Sequence, residues 1–385
     1  MERTKSPFQF GRIVEGNSFT DRTKEIARLV SNFENRVHTI LISPRRWGKS
    51  SLVKKAAGIA QDKNPNLRFC FIDLFSIRNE EEFYTEFAKQ VIRATSGKVE
   101  EWIETGKNLF SRLTPRFSFG SEPLADFEVS FDMKELIESF DEILNLPEQV
   151  SAKKNVNLVI CLDEFQNLSN FSDPDLFQKR LRAIFQHHQA VAYCFYGSKR
   201  HMLSDIFENQ SMPFYKFGDV IYLEKIPGED LTNFIVSGFE QTGKSISPAL
   251  AGNITGLMKR HPYYTQQLSY ITWINTERVA DEKTVETAVD DLLRQNGLLY
   301  MREVDALSNT QVNFLKAVAD EVKELTSAVT LQQYQIGTSA NVVKIRETLE
   351  KREIIDSNSD LIEFIDPAFE LWFRRYFYSR SKGKL

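Results

Sequence analysis

The first 226 residues alternate short apolar runs with longer amphipathic stretches. The apolar runs, rich in β-branched and aromatic residues, predict strands at residues 37–43, 68–75, 156–162, 190–197 and 219–223. Between them, apolar residues recur at helical spacing, most clearly over residues 79–94. Short buried strands that alternate with amphipathic helices predict an α/β fold, in which helices cover both faces of a mostly parallel sheet.

A long insertion of about residues 98–150 separates the second and third predicted strands. Within it, apolar and polar residues alternate at Phe117, Phe119, Phe127 and Val129. Alternation with a period of two is typical of strands that are buried on one face. The insertion is therefore predicted to contain a β-hairpin.

The pattern becomes almost entirely helical after residue 226. Helical spacing predicts one group of helices at residues 229–241, 248–259, 262–278 and 282–295. A second group is predicted at residues 308–322, 330–336 and 339–352. Two apolar runs, split by a polar turn, follow in the stretch REIIDSNSDLIEFI, and three helices with such a hairpin resemble a winged helix. The predicted domains are an α/β core (1–226), a helical domain (227–304) and a winged helix (305–385).

Composition indicates a soluble globular protein. With 385 residues, the chain is long enough for two or three domains with sizeable cores. Cys70, Cys161 and Cys194 lie far apart in apolar runs, which predicts buried thiols in a reducing compartment. The start of the sequence lacks the apolar core of a signal peptide, and no apolar run approaches the roughly 18 residues of a membrane helix. We expect a cytoplasmic protein with no membrane partner.

One segment, GFEQTGKS from Gly238 to Ser245, matches the phosphate-binding pattern GxxxxGK[ST] literally. A phosphate loop must follow a strand and open a helix, because the helix N-terminus and its backbone N–H groups face the phosphates. Here an apolar helical stripe runs through the first glycine. Gly243 is therefore predicted to end a helix, and Ser247-Pro248 to begin the next one. The match is rejected as a phosphate site.

A better phosphate loop follows the first predicted strand and precedes a helical pattern. The predicted nucleotide-binding residues there are Ser43, Pro44, Arg45, Arg46, Trp47, Gly48, Lys49, Ser50 and Ser51. Serine stands where the pattern has its first glycine. Gly48 lets the backbone approach a phosphate, Lys49 neutralises phosphate oxygens, and Ser50 is a predicted Mg²⁺ ligand. An arginine-rich surface turn is the alternative.

A carboxylate pair, Asp163-Glu164, ends the strongest predicted strand. The end of a buried strand in the same sheet is where an acidic partner of Mg²⁺ is expected. Asp163 is predicted to hold Mg²⁺ through water, and Glu164 to orient and deprotonate the attacking water. Such a pair can also be an ordinary strand end. Its position after a phosphate loop favours ATP or ADP as the ligand, with Mg²⁺ as the cofactor.

Several segments together resemble a known family. SPRRWGKSSL, VICLDEFQNL, YGSKRHML and RHPYYTQQL look like motifs of the prokaryotic AAA-like P-loop ATPases, found mainly in archaea, within the STAND group. FTDRTKEIARL is similar to the motif that precedes the core of that family, and IDPAFELWFRRYF to its C-terminal ending. The resemblance covers about residues 7–378. It implies a P-loop core, a helical lid and a C-terminal winged helix.

The resemblance also implies roles for four further residues. Ser198 matches the catalytic polar sensor of the γ-phosphate, His261-Pro262 the start of a lid helix that contacts nucleotide, and Arg22 an arginine near the nucleotide. The alternatives are a strand cap for Ser198, a packed lid residue for His261 and a solvated charge for Arg22.

The sequence departs from the family at two places. Arg260 stands where relatives usually carry glycine before His-Pro, and Lys216 stands in the region where relatives often carry an arginine. Lysine lacks the planar fork of arginine, so hydrolysis is expected to be slow without a partner. Whether Lys216 replaces the arginine is left open.

The predicted function is an ATPase that acts as a nucleotide-controlled conformational switch, with Glu164, Lys49 and Ser198 as its catalytic residues. A protein partner is expected, and an oligomer is left open. One alternative is an ATP-modulated DNA-binding regulator. It is not favoured, because residues 305–385 hold 11 Lys/Arg against 12 Asp/Glu and offer no surplus for phosphates. The other is a nucleotide-binding scaffold without turnover, against which Glu164 argues.

Overall fold

The computed structural model describes residues 5–11, 22–96, 110–119, 127–358 and 361–378. The chain forms two compact units. We call Arg22–Glu224 the sheet unit, and Met1–Asp21 together with Lys225–Leu385 the helical unit. Each unit has its own cluster of buried hydrophobic side chains.

A parallel sheet forms the centre of the sheet unit. The described strands of this unit are β1 (Thr39–Ile42), β2 (Leu67–Asp73), β3 (Arg116–Phe119), β4 (Phe127–Ser130), β5 (Asn157–Asp163), β6 (Val191–Gly197) and β7 (Asp219–Tyr222). Five of them form one sheet in the order β2-β5-β6-β1-β7, with every pairing parallel. All five strands predicted from the apolar runs are confirmed. The parallel arrangement brings the carboxyl ends of β1, β5 and β6 to one edge.

Helices cover this sheet on both sides. Those described in the sheet unit are α1 (Thr23–Glu34), α2 (Lys49–Lys63), α3 (Glu80–Thr95), α4 (Met133–Glu138), α5 (Phe140–Lys154), α6 (Pro174–Phe185) and α7 (Arg200–Glu208). A 3₁₀ helix, Phe165–Asn170, follows β5. Asn79 caps α3, and Asp173 caps α6 ahead of a proline, as their residue types favour.

The three cysteines are buried free thiols on β2, β5 and β6, as predicted: Cys70, Cys161 and Cys194.

The predicted hairpin is present in the insertion. Strands β3 and β4 pair antiparallel, with Phe117 opposite Val129. Phe127 and Val129 on β4 are buried in the core of the sheet unit, and their outward neighbours are exposed. Alternate burial along β4 is the physical reason for the period of two in its sequence. The rest of the insertion between residues 97 and 126 lies largely outside the described residues.

The helical unit consists mainly of packed helices. Its described elements are α8 (Gly228–Glu240), α9 (Pro248–Leu257), α10 (Pro262–Asn275), α11 (Glu282–Asp305), α12 (Asn309–Ala319), α13 (Ala328–Tyr334), α14 (Ser339–Lys351), β8 (Ile355–Asn358), β9 (Leu361–Phe364), α15 (Pro367–Trp372) and a π-helix (Phe373–Tyr378). Helix α11 is longer than predicted. Gly297 does not end it, because the buried residues Tyr300 and Val304 continue its apolar stripe.

The three helices α12–α14 and the antiparallel hairpin β8–β9 form the predicted winged helix. The aromatic C-terminal segment packs onto α11: the ring of Tyr300 lies 5.3 Å from that of Phe369 and 5.7 Å from that of Trp372. Phe369, Trp372 and Phe373 are buried, and Tyr376 is exposed. The predicted lid and winged helix therefore share one core.

Within the described ranges, no helix combines the length and the apolar character that crossing a bilayer requires.

Candidate functional site

The predicted phosphate loop connects β1 to α2. Strand β1 ends at Ile42, and α2 begins at Lys49. Gly48 is the N-cap residue of α2 and has φ of +84°, a left-handed conformation that glycine adopts without steric cost. No side chain caps the helix there, so its first N–H groups point to the loop. This arrangement is suited to an anion such as phosphate.

Ser43, which replaces the usual glycine, is buried and does not have positive φ. Its hydroxyl donates a hydrogen bond to the carbonyl of Pro44 at 3.2 Å. Because the backbone at residue 43 needs no left-handed conformation, serine fits there without strain. The departure from the pattern therefore leaves the loop intact.

The two polar residues at the start of α2 contact the two carboxylates after β5. Lys49 Nζ lies 3.2 Å from Glu164 Oε1. Ser50 Oγ donates to Asp163 Oδ2 at 2.7 Å. These residues are more than 110 positions apart in sequence, and the parallel sheet brings them together.

Glu164 is held in an unusual backbone conformation between β5 and the 3₁₀ helix. Its φ is +52°, and non-glycine residues in the left-handed region carry strain of about 1 kcal/mol or more. Asp163 Oδ1 accepts a hydrogen bond from the backbone N–H of Glu164 at 2.8 Å. Strained backbone of this kind clusters at functional sites.

Ser198, just beyond β6, also contacts Glu164. Its hydroxyl donates to Glu164 Oε2 at 3.0 Å, and its backbone N–H donates to the same oxygen at 3.3 Å. The structure thus brings together Lys49, Ser50, Asp163, Glu164 and Ser198.

The two carboxylates differ in electrostatic environment. Burial raises the pKa of Asp163 to about 6, against the opposing effects of the Ser50 hydrogen bond and the Lys49 charge. Burial also acts to raise the pKa of Glu164. The Lys49 ammonium and the hydrogen bonds to this carboxylate outweigh that effect, so its pKa lies below the usual value. At neutral pH Glu164 is therefore a carboxylate, as a general base must be.

The remaining loop residues divide into buried and exposed groups. Pro44 and Trp47 are buried, and so is Ser51 on the first turn of α2. Arg45 and Arg46 are exposed, and Arg46 has φ of +63°. Both arginine side chains thus lie at the surface beside the loop.

Arg22, the predicted nucleotide-proximal arginine, is buried at the start of α1. Its guanidinium donates to Glu25 Oε1 at 3.0 Å and to the carbonyl of Glu224 at 2.7 Å. These contacts join the first and last residues of the sheet unit. A contact of Arg22 with nucleotide stays a prediction.

His261 and Pro262 belong to the helical unit. Pro262 is the first residue of α10, as a lid-helix start requires, and buried His261 packs edge-on against Tyr264 at 4.8 Å. Lys259 and Arg260 both have positive φ, of +48° and +61°. Glycine, which the resemblance implies before His-Pro, would adopt this left-handed backbone without steric cost. The nucleotide contact of His261 and Pro262 stays a prediction.

The rejected GxxxxGK[ST] match is confirmed as a helix end. Gly238 lies inside α8, and Gly243 has φ of +73° three residues beyond the end of that helix. Lys244 Nζ donates to the carbonyls of Trp273 and Thr276, at 2.6 Å each, and lies 4.2 Å from the Trp273 ring centroid. The Lys244 ammonium therefore stabilises the C-terminal end of α10.

Sequence reasoning missed Gln166, which donates a hydrogen bond from Nε2 to Glu164 Oε2. The side chain is 1% exposed. Gln166 lies in a stretch that also holds the polar residues Asn167, Ser169 and Asn170, so its residue type is not distinctive there. The sequence gives no signal that this amide is buried or which residue it contacts.

The parallel sheet, the loop between β1 and α2 and the carboxylates after β5 define the fold of a P-loop ATPase, here with a C-terminal winged helix. A family described as a probable winged helix domain matches residues 298–375, starting within α11. A search of curated protein sequences gives no match.

Among the solved structures that are similar to this chain, two examples cover nearly all of it. The Walker-type ATPase PABY2304 of Pyrococcus abyssi is 16% identical, with a TM-score of 0.66, covering 96% of this chain and 99% of that one. The ORC2 protein of Aeropyrum pernix, in ADPNP–ADP complexes, is 14% identical, with a TM-score of 0.56 and coverage of 97% and 99%. The resemblance to archaeal-type P-loop ATPases is confirmed at the level of the fold.

Proposed function

We propose that this chain binds ATP with Mg²⁺ and hydrolyses it. The main support for the proposal is a cluster of five polar side chains at the carboxyl edge of the parallel sheet. The cluster consists of Lys49, Ser50, Asp163, Glu164 and Ser198. Ligands of open α/β sheets bind at this edge. The similar ORC2 structure is described as ADPNP–ADP complexes, which supports a nucleotide as the ligand here.

The residues present suit Mg²⁺. Ser50 Oγ and Asp163 Oδ2 are hard oxygen donors 2.7 Å apart. Mg²⁺ in nucleotide sites takes one or two such donors together with waters and phosphates, rather than a cage of protein ligands. Accordingly, no group of three or more His, Cys, Asp or Glu residues able to hold a metal is found in the described ranges. Bound Mg²⁺ would neutralise charge that develops on the phosphates.

Glu164 is the proposed general base. Its carboxylate stays ionised at neutral pH because the Lys49 ammonium and hydrogen-bond donors outweigh the effect of burial. Glu164 would orient a water for in-line attack on the γ-phosphate and accept its proton. Lys49 would exchange its contact with Glu164 for phosphate oxygens and stabilise their charge in the transition state.

The remaining predicted residues have supporting roles in the proposal. Ser43–Ser51 would surround the phosphates, and Ser198 would sense the γ-phosphate. Arg22, His261 and Pro262 would contact the nucleotide. Lys216 is exposed and lies over the Tyr215 ring at 5.2 Å. Because lysine lacks the planar fork of arginine, slow hydrolysis without a partner is part of the proposal.

At the level of the whole chain, we propose a STAND-type conformational switch. ATP and ADP would select different arrangements of core, lid and winged helix, since a ligand shifts an equilibrium by its differential affinity for the two states. The proposed setting is the cytoplasm, with a protein partner that reads the arrangement.

Calorimetric titration of Mg²⁺–ATP tests the site. Lys49→Ala is expected to abolish measurable binding and to leave the fold intact, since the change removes the cation that meets the phosphates. Lys244→Ala is the matched control. It removes two hydrogen bonds at the end of α10 and is expected to lower thermal stability but to leave ATP affinity unchanged. Loss of binding in Lys244→Ala alone would show that the phosphate loop is assigned to the wrong segment.

A further inference from the structure

The two oxygens of the Glu164 carboxylate have different partners. Oε1 contacts Lys49 Nζ at 3.2 Å. Oε2 accepts three hydrogen bonds: from Gln166 Nε2, from Ser198 Oγ and from Ser198 N. If Lys49 binds phosphate oxygens instead, Glu164 Oε1 loses its contact with the Lys49 ammonium, whereas Oε2 keeps its three hydrogen-bond donors. One oxygen is thereby anchored, and the other is left to act on a substrate water.

The orientation of the Gln166 amide is fixed by its surroundings. Its Oε1 faces Gly197 so closely that a Cβ built on that glycine would lie 1.9 Å from it. The reverse orientation would place the amide oxygen against the Glu164 carboxylate, with two acceptors in contact. Gly197 has no positive φ, so its backbone does not require glycine. Glycine at this position makes room for Gln166.

The same arrangement leaves a buried acceptor unsatisfied. Among the described residues, Gln166 Oε1 has no hydrogen-bond partner. A buried polar atom without a partner destabilises a protein, typically by about 1–3 kcal/mol. An apolar side chain of similar size would avoid this cost. Stability alone therefore does not explain a glutamine here, whereas a donor directed at Glu164 does.

We infer that Gln166 is a positioning residue, which holds Glu164 so that Oε1 receives the proton of the attacking water. The inference rests on the proposed ATPase function. The strained backbone of Glu164 makes such support necessary, because a left-handed non-glycine residue persists only where its surroundings fix it. Gln166 and Ser198 fix it from two different segments, the 3₁₀ helix and the end of β6.

Gln166→Met preserves side-chain length and removes the donor. We expect kcat for ATP to fall by about tenfold or more, a part of the effect of a general base. Affinity for Mg²⁺–ATP and KM should change less than twofold, and the thermal midpoint should stay the same or rise. A residue with a merely structural role would give lower stability and unchanged kcat. Gln166→Leu serves as a second variant if the methionine form folds poorly.

Gln178→Met is the matched control. Gln178 is 2% exposed, and its Oε1 likewise finds no partner among the described residues, but it lies on α6. Its replacement should leave kcat unchanged. An equal fall of kcat in Gln178→Met, or full kcat in Gln166→Met, would overturn the inference.

A double-mutant cycle separates this inference from the proposed function. If Gln166 acts through Glu164, the Gln166→Met change should lower single-turnover hydrolysis no further in a Glu164→Gln background. A further tenfold loss there would overturn the positioning role and leave the ATPase proposal standing. Absence of Mg²⁺–ATP binding by the wild type would overturn both.

Discussion

The candidate site combines several residues that are unfavourable for stability. Glu164 has left-handed backbone, Gln166 has an unpaired buried oxygen, and the pKa of half-buried Asp163 is raised to about 6. The folded-state pKa of Asp163 exceeds its unfolded value, so its contribution to stability falls as pH rises from about 4 to 6. These three destabilising features lie at one edge of the sheet. Such a concentration is expected of a site that is selected for chemistry rather than for stability.

A second residue-scale feature is the left-handed Arg260 ahead of α10. Arg260→Gly is expected to leave the free energy of unfolding unchanged or to raise it by up to about 1 kcal/mol, because glycine relieves the strain of φ +61°. The same change at Arg294, exposed inside α11, should lower it by about 1 kcal/mol. Urea unfolding of both variants provides the measurement. Equal destabilisation by both changes would contradict the strain argument.

At the element scale, β1 begins next to a half-buried histidine. His38 stacks on Phe217 with ring centroids 4.4 Å apart, and its Nδ1 accepts a hydrogen bond from Tyr193 N at 3.2 Å. Burial, with the nearby charges of Arg182 and His188, lowers the pKa of His38 to about 4. The neutral ring therefore belongs to the folded state. Because the unfolded pKa is higher, this stabilisation is present above pH 6.5 and is lost as pH falls toward 4.

His38→Gln keeps an acceptor and removes the titration. Between pH 6.5 and 4, we expect the free energy of unfolding of this variant to fall less steeply with falling pH than that of the wild type. The two slopes should differ by about 1.4 kcal/mol per pH unit, because unfolding of the variant takes up one proton fewer. Unfolding by urea at several pH values measures this slope. An unchanged slope in His38→Gln would refute the assignment.

The elements differ in how far the sequence predicted them. The five sheet strands were predictable because buried parallel strands are continuous apolar runs. The phosphate loop and Gly243 were predictable from the strand or helix around them. The end of α11 was not, because the helix was predicted to end at residue 295, whereas its apolar stripe continues through Tyr300 and Val304. Gln166 was missed because its importance depends on Gly197 and Glu164, and such a contact leaves no periodic signal.

At the scale of the whole molecule, ion pairs in the helical unit reduce the positive charge that is available for DNA binding. Arg374 pairs with Glu370 at 2.8 Å, Arg352 with Glu303 at 3.3 Å and Arg346 with Glu350 at 3.6 Å. Basic side chains of the winged helix and its C-terminal segment are thus partly neutralised by acidic neighbours. Affinity for duplex DNA depends mainly on cations that are available to phosphates.

We therefore expect weak binding of duplex DNA at physiological salt. Fluorescence anisotropy of the full chain with labelled duplex across salt concentrations measures it. Arg375 pairs with Asp290 at 3.3 Å but is still 43% exposed, so its charge remains accessible in part. Sub-micromolar affinity with a steep salt dependence, abolished by deleting residues 305–385, would instead favour the DNA-binding regulator.

The central claim is that the edge formed by β1, β5 and β6 hydrolyses ATP with Glu164 as the base. ATP turnover of Glu164→Gln beside the wild type, with Mg²⁺–ATP affinity measured on both, tests it most directly. We predict turnover lower by about 100-fold or more, the usual effect of losing a general base, with affinity retained. Turnover in Glu164→Gln equal to that of the wild type would contradict the account.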